Sequence, residues 1–130
     1  MAVPFQCVVE PDRDVAVVSL SGELDLATAP KVATCVRELV EADFRSVKVD
    51  LTGVTFIDST GLRTLVEASR FADQYDAALT LIAGPDAVQR AFTLTGLDRC
   101  LTFEPPPPAP QRPQQRWAAA QSVRSAVAST

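Results

Sequence analysis

The residues best equipped for chemistry are Asp58-Ser59-Thr60-Gly61. Before them, Val47, Val49 and Leu51 alternate with Lys48, Asp50 and Thr52, the period of a strand with one face buried and one wet. After them, Leu62, Leu65, Val66, Ser69 and Ala72 recur at helical spacing, with Arg63, Glu67, Arg70 and Asp73 mostly on the other side. The tetrapeptide therefore opens a helix where a strand ends, and Asp58 or Ser59 can accept hydrogen bonds from the free amides of the first turn. Those amides carry partial positive charge and tolerate an anion such as a phosphoryl group. A phosphate on Ser59 would add about −1.5 to −2 charges beside Asp58 and turn a small hydroxyl into a bulky hydrated group, a change able to turn off a docking surface.

Two other readings of Ser59 stand beside this one. By itself a serine in this position is most often a helix cap. As a nucleophile it would need a base, and none is in evidence. The chain has no histidine, so no Ser-His-Asp or Cys-His arrangement and no imidazole metal site can be assembled within it. An enzyme is not expected, and neither a metal site nor a cofactor. Cys7, Cys35 and Cys100 are odd in number and free of Cys-x-x-Cys pairing, which suits reduced thiols acting as small buried hydrophobes.

A chain of 130 residues, 47% of them hydrophobic, holds one ordinary domain with its own core. Its apolar runs fall well short of the ~20 residues that cross a bilayer, and no basic segment followed by an apolar block opens it. A cytoplasmic protein with no membrane partner is expected. Residues 1–104 hold nine basic and sixteen acidic side chains, a balance of −7, whereas residues 105–130 hold Arg112, Arg116 and Arg124 and no acid. An acidic body argues against direct nucleic-acid binding and suits a basic patch on another protein.

The elements that must position the tetrapeptide follow in order. Residues 5–10 and 15–20 are strand-like and joined by Pro11-Asp12-Arg13-Asp14, which reads as an antiparallel hairpin. A connection follows and ends at Thr28, an N-cap, with Pro30 in the first turn of a helix. Val32, Cys35, Val36, Leu39 and Val40 form that helix's core stripe, which ends near Asp43. Residues 78–83 make another strand closed by Gly84-Pro85, and Val88, Ala91 and Phe92 mark a third helix capped by Gly96. Residues 100–103 form a last short strand.

The fold class is therefore α/β, a mixed sheet of four to five strands in which the N-terminal hairpin is antiparallel and the remaining strands are largely parallel. Strict alternation at 47–52 puts the helices mainly on one face, because a parallel strand covered on both sides is apolar throughout. Phe71 falls off its helix's core stripe and is left to pack under the tail or to meet a partner. Six of the ten prolines fall within residues 105–113, so a Pro-rich, basic, flexible tail (105–130) is expected to follow a domain at 1–104, with a short docking helix open over Trp117–Ala128.

Leu20-Ser21-Gly22-Glu23-Leu24-Asp25, Thr28, Val49-Asp50-Leu51, Phe56-Ile57-Asp58-Ser59-Thr60-Gly61-Leu62 and Leu94-Thr95-Gly96-Leu97, in that order and at those separations, resemble the STAS domains of bacterial anti-sigma-factor antagonists. The resemblance spans nearly all of residues 5–104. It implies a regulatory binding module that sequesters an anti-sigma factor, itself a serine kinase, and so frees a sigma factor for transcription. It implies phosphorylation on Ser59, with ATP used only by the kinase, release of the complex on phosphorylation, and reversal by a phosphoserine phosphatase. Asp25, Asp58, Ser59, Thr60, Gly61 and Arg63 become partner-contact candidates, with Arg63 a cation able to pair with the phosphate or tune kinase choice. Thr60 is the nearest rival acceptor. Asp25 by itself reads as a residue making a local turn bond. A monomer is expected. The second function to weigh is a STAS-type scaffold or sensor that binds a partner or small ligand without phosphate control.

Overall fold

The computed structural model describes residues 4–107. Its elements run β1 (Gln6–Asp12), β2 (Val15–Leu24), α1 (Ala29–Glu41), β3 (Ser46–Ile57), α2 (Ser59–Gln74), β4 (Ala78–Ile82), α3 (Asp86–Thr95), one 3-10 turn (Leu97–Cys100) and β5 (Thr102–Glu104). The five strands lie side by side in chain order. β1 is antiparallel to β2, and β2, β3, β4 and β5 are mutually parallel.

That order explains where the core sits. Each parallel step crosses over through a helix, and right-handed crossovers that all advance in one direction across a sheet deposit their helices on the same face. Val18, Leu20, Val47, Val49, Leu51, Leu79 and Leu81 project to that face and are buried. Their neighbours in sequence, Val17, Ser19, Lys48, Asp50 and Thr80, face the other way and stay partly exposed. Lys48 bonds Glu104 across that open face at 3.2 Å. The one-sided packing read from the alternation at 47–52 is what the chain adopts.

The helices bury the predicted stripes: Val32, Val36 and Val40 on α1, Leu62, Leu65, Val66 and Ala72 on α2, and Val88 and Phe92 on α3. Phe92 is fully buried and meets Phe103 edge-on at 5.1 Å, closing the β5 side of the core. Gly96 ends α3 in the left-handed conformation (φ 77°), as expected of a C-terminal cap. Phe71, unplaced by its spacing, packs at the α1–α2 seam with its ring 4.7 Å from Tyr75 and 5.5 Å beneath the Arg37 guanidinium.

Several boundaries differ from the sequence reading. β2 and β3 run on to Leu24 and Ile57 instead of stopping near residues 20 and 52, because two register shifts let their second halves keep pairing, Leu24 against Ile57. Those irregularities hide the strand period there. α1 stops at Glu41, short of Asp43, which takes positive φ (72°) in the turn that follows. Cys100 closes the 3-10 turn instead of opening β5. Thr28 holds the N-cap position of α1 but makes no side-chain cap bond.

The thiols also depart from expectation. Cys7 and Cys35 are half-buried at the rim of the core and Cys100 is exposed, because they sit on an edge strand, on the flank of α1's stripe and on the turn after α3. The expected tail and its docking helix lie outside the described residues.

Phe92→Ala removes the largest fully buried side chain among the described residues. It is expected to lower unfolding free energy by about 3–5 kcal/mol, read from the urea midpoint at unchanged slope.

Candidate functional site

The candidate site lies at the C-terminal ends of β2 and β3. Parallel neighbours finish on the same side of a sheet, so the segment leaving β2 and the start of α2 are brought together although they are far apart in sequence. The junction is explicit in the backbone: the Asp58 N–H donates to the Leu24 carbonyl at 3.2 Å.

Asp58 is the N-cap of α2. Its backbone is extended (φ −105°, ψ −176°), and its Oδ1 accepts from the Gly61 N–H at 2.8 Å. The choice between Asp58 and Ser59 as capping acceptor is thereby decided for Asp58. Ser59 occupies the first helical position and is exposed. Among the described residues no hydrogen bond engages its hydroxyl. The carboxylate caps the helix end, so the Ser59 hydroxyl is not used for the cap.

Gly61 is buried beneath this surface. A Cβ at that position would lie 2.7 Å from the Leu24 carbonyl oxygen and 2.9 Å from Ile57 Cγ1, so only glycine lets α2 start this close to the end of β2. Its contribution to the start of α2 is positional. Thr60 is half-buried and Arg63 exposed. Arg63 follows Ser59 by four residues, hence on the same helix face one turn on.

The Asp25 segment is a built turn. Asp25 Oδ1 accepts from the Ala27 and Thr28 N–H groups at 3.0 and 3.2 Å. The Thr28 hydroxyl donates to the Glu23 carbonyl at 2.8 Å and accepts from the Asp25 N–H at 2.9 Å. This explains why Thr28 does not cap α1: its hydroxyl is spent bracing the loop. Asp25 makes the local turn bonds its residue type predicts and stands beside Leu24, to which α2 is moored.

Two residues passed over in the sequence reading complete the rim. Leu26, on the Asp25 turn, is 73% exposed, and Phe56, paired with Glu23 near the end of β3, is 50% exposed. Large apolar side chains on a loop and at a strand end, off any core stripe, were the available signal. Together with Asp25, Asp58, Ser59 and Arg63 they give this end of the sheet an apolar and charged character suited to a protein partner.

The STAS domain pattern matches residues 6–106, and the chain belongs to that family. It is similar, at 35% identity over 88 residues, to an anti-sigma-B factor antagonist of Listeria monocytogenes, covering 68% of this chain and 77% of that one. Its fold resembles that of an anti-sigma factor antagonist from Mycobacterium paratuberculosis, with a TM-score of 0.71 and 26% identity over 93% of this chain and 99% of that one. It also shares the fold of the Bacillus cell-fate determinant SpoIIAA in its phosphorylated form, with a TM-score of 0.60 and 17% identity over 93% of this chain and 100% of that one. Among the described residues no helix is long and apolar enough to cross a membrane.

Asp58→Ala deletes the cap and is expected to lower stability by about 0.5–2 kcal/mol in urea denaturation. Gly61→Ala forces a methyl group against the Leu24 carbonyl and is expected to lower it by about 1–3 kcal/mol by the same measurement, although alanine is otherwise the better helix former.

Proposed function

We propose that this chain is an anti-sigma-factor antagonist whose docking surface, built on the Asp25 turn and the start of α2, is closed by phosphorylation of Ser59. The observation that carries this reading is the free, exposed Ser59 hydroxyl at the first position of a helix whose capping bond is supplied by Asp58. A kinase can reach such a hydroxyl without unfolding anything. The partner is a serine kinase that is itself the anti-sigma factor. ATP is consumed by that kinase alone, and a phosphoserine phosphatase resets the surface.

The chemistry favours a surface switch over a conformational one. A phosphate at the first helical position meets the partial positive charge of the helix end, an interaction worth about 0.3–1 kcal/mol, so α2 has no electrostatic reason to melt. SpoIIAA in its phosphorylated form keeps the same fold, in line with that expectation. At the contact the effect is opposite in sign. Two added charges beside Asp58 and Asp25 meet a partner surface shaped for the neutral hydroxyl, and their desolvation and repulsion cost several kcal/mol. Every 1.4 kcal/mol is about tenfold in affinity, so the complex is lost over orders of magnitude. Exposed Leu26 and Phe56 supply the apolar part of the docking surface, and Arg63, one turn along, is placed to answer the phosphate or the kinase.

The test is binding and phosphorylation with the cognate kinase. Ser59→Ala is expected to bind with unchanged affinity and to take no phosphate, and Ser59→Asp to bind about tenfold or more weakly in calorimetry. Phosphate mapped by mass spectrometry to Thr60, or equal affinities of the two variants, would overturn the proposal.

A further inference from the structure

The end of the sheet away from Ser59 carries a cavity of about 250 Å³ where α1 and α2 finish, lined by Val40, Asp43, Phe44, Arg45, Tyr75 and Asp76. α1 leads into β3 and α2 into β4, and the two strands start side by side, Ser46 opposite Ala78, so both helix ends arrive at one place. Arg45 is fixed there by its backbone, whose N–H donates to the Asp14 carbonyl at 2.8 Å and whose carbonyl accepts from the Ala78 N–H at 2.9 Å. Its side chain is exposed, as are Asp43, Asp76 and Tyr75, while Phe44 is half-buried and Val40 buried.

Both helices stop in the same way. At the end of α1 the Asp43 N–H donates to the Val40 carbonyl at 3.0 Å and the Phe44 N–H to the Leu39 carbonyl at 3.2 Å. At the end of α2 the Asp76 N–H donates to the Asp73 carbonyl at 3.1 Å and the Ala77 N–H to the Ala72 carbonyl at 2.9 Å. This pair of bonds needs one residue in the left-handed conformation, and Asp43 (φ 72°) and Asp76 (φ 58°) are those residues.

An aspartate is ill-suited to that place on two counts. It enters the left-handed region at a cost that glycine does not bear, and its carboxylate adds negative charge to the negative end of a helix. α3, whose end does not line the cavity, is closed by a glycine, Gly96 at φ 77°. Among the described residues the one ion pair is Lys48–Glu104, so within them Asp43, Asp76 and Arg45 have no charged partner. Two carboxylates held against local preference, and a guanidinium on the same lining, are accounted for by a molecule that carries both charges.

We propose that this cavity binds a free α-amino acid with a large apolar side chain. The ammonium group is matched by Asp43 and Asp76 and by the negative ends of α1 and α2, the carboxylate by Arg45, and the side chain by Val40, Phe44 and the Tyr75 ring. A metal ion or a simple amine would leave Arg45 unanswered, and a simple anion would meet two carboxylates. The volume lies just below the ~300–1,000 Å³ that drug-sized ligands occupy, which suits a molecule of this size. The site is separate from the Ser59 surface, with the length of β3 between them.

Calorimetric titration of the full chain with L-phenylalanine, L-tryptophan and L-leucine is expected to show one molecule bound per chain for at least one of them, with a dissociation constant of about 1 mM or tighter. The amine and the carboxylic acid that each keep only one charged group of the best binder should bind about tenfold or more weakly. Arg45→Gln should weaken the amino acid about tenfold and leave the affinity for the amine unchanged. Asp43→Gly and Asp76→Gly should each weaken binding about tenfold, yet raise the thermal midpoint of the ligand-free protein, because glycine fits the left-handed position and removes the opposing charge. No binding of any of the three amino acids at about 10 mM, ten times the expected constant, would overturn the proposal. So would an amine or acid that binds as tightly as the amino acid, variants at all three positions that bind like the parent, or a fall in midpoint for both glycine variants.

Discussion

Two hydrogen bonds made by Asp58 hold together the place on which the proposed docking surface depends. Its backbone N–H moors the end of β3 to the Leu24 carbonyl of β2, and its carboxylate closes the first turn of α2 by accepting from Gly61. One residue therefore fixes both the neighbour on which the helix rests and the place where the helix begins. Gly61 completes the arrangement, since any larger residue would push α2 off the β2 carbonyl. Ser59, held between these two fixed residues, contributes no side-chain bond to the cap and stays exposed.

The same division of labour recurs across the surface. Thr28 gives up helix capping to brace the Asp25 turn, and Asp25 spends one carboxylate oxygen on that turn. The groups nearest the surface are thus set by bonds made behind them. The proposed switch, which works by adding charge, requires such a frame, because a loose loop would simply move a phosphate aside. The fold supplies the frame by placing the ends of adjacent parallel strands side by side.

The one-directional strand order has a second consequence at the far edge of the sheet. β1 has no neighbour beyond it, so what secures it is β2 and its contact with the helical layer. Cys7 lies on that margin, half-buried at the rim of the core. Because β1 is antiparallel to β2, its first residues pair near the end of β2 from which the Asp25 turn and then α1 depart.

Much of this was present in the sequence because it depends on local pattern. Alternation at 47–52, helical stripes on three segments, the capping chemistry of Asp58-Ser59-Thr60-Gly61 and the glycine at 96 are short-range properties, and they determined the element types, the one-sided sheet and the candidate serine. The order of motifs along the chain also carried the family likeness that the STAS match makes plain. Other features needed the tertiary structure. Which of Asp58 and Ser59 caps the helix depends on a rotamer and a backbone angle, and the true lengths of β2 and β3 depend on bulges that break the strand period. That Gly61 is buried against Leu24 and that Leu26 and Phe56 are exposed at this end of the sheet are long-range facts. They follow from which strands lie side by side and which helix covers them, and residue spacing along a chain does not encode distance across a fold.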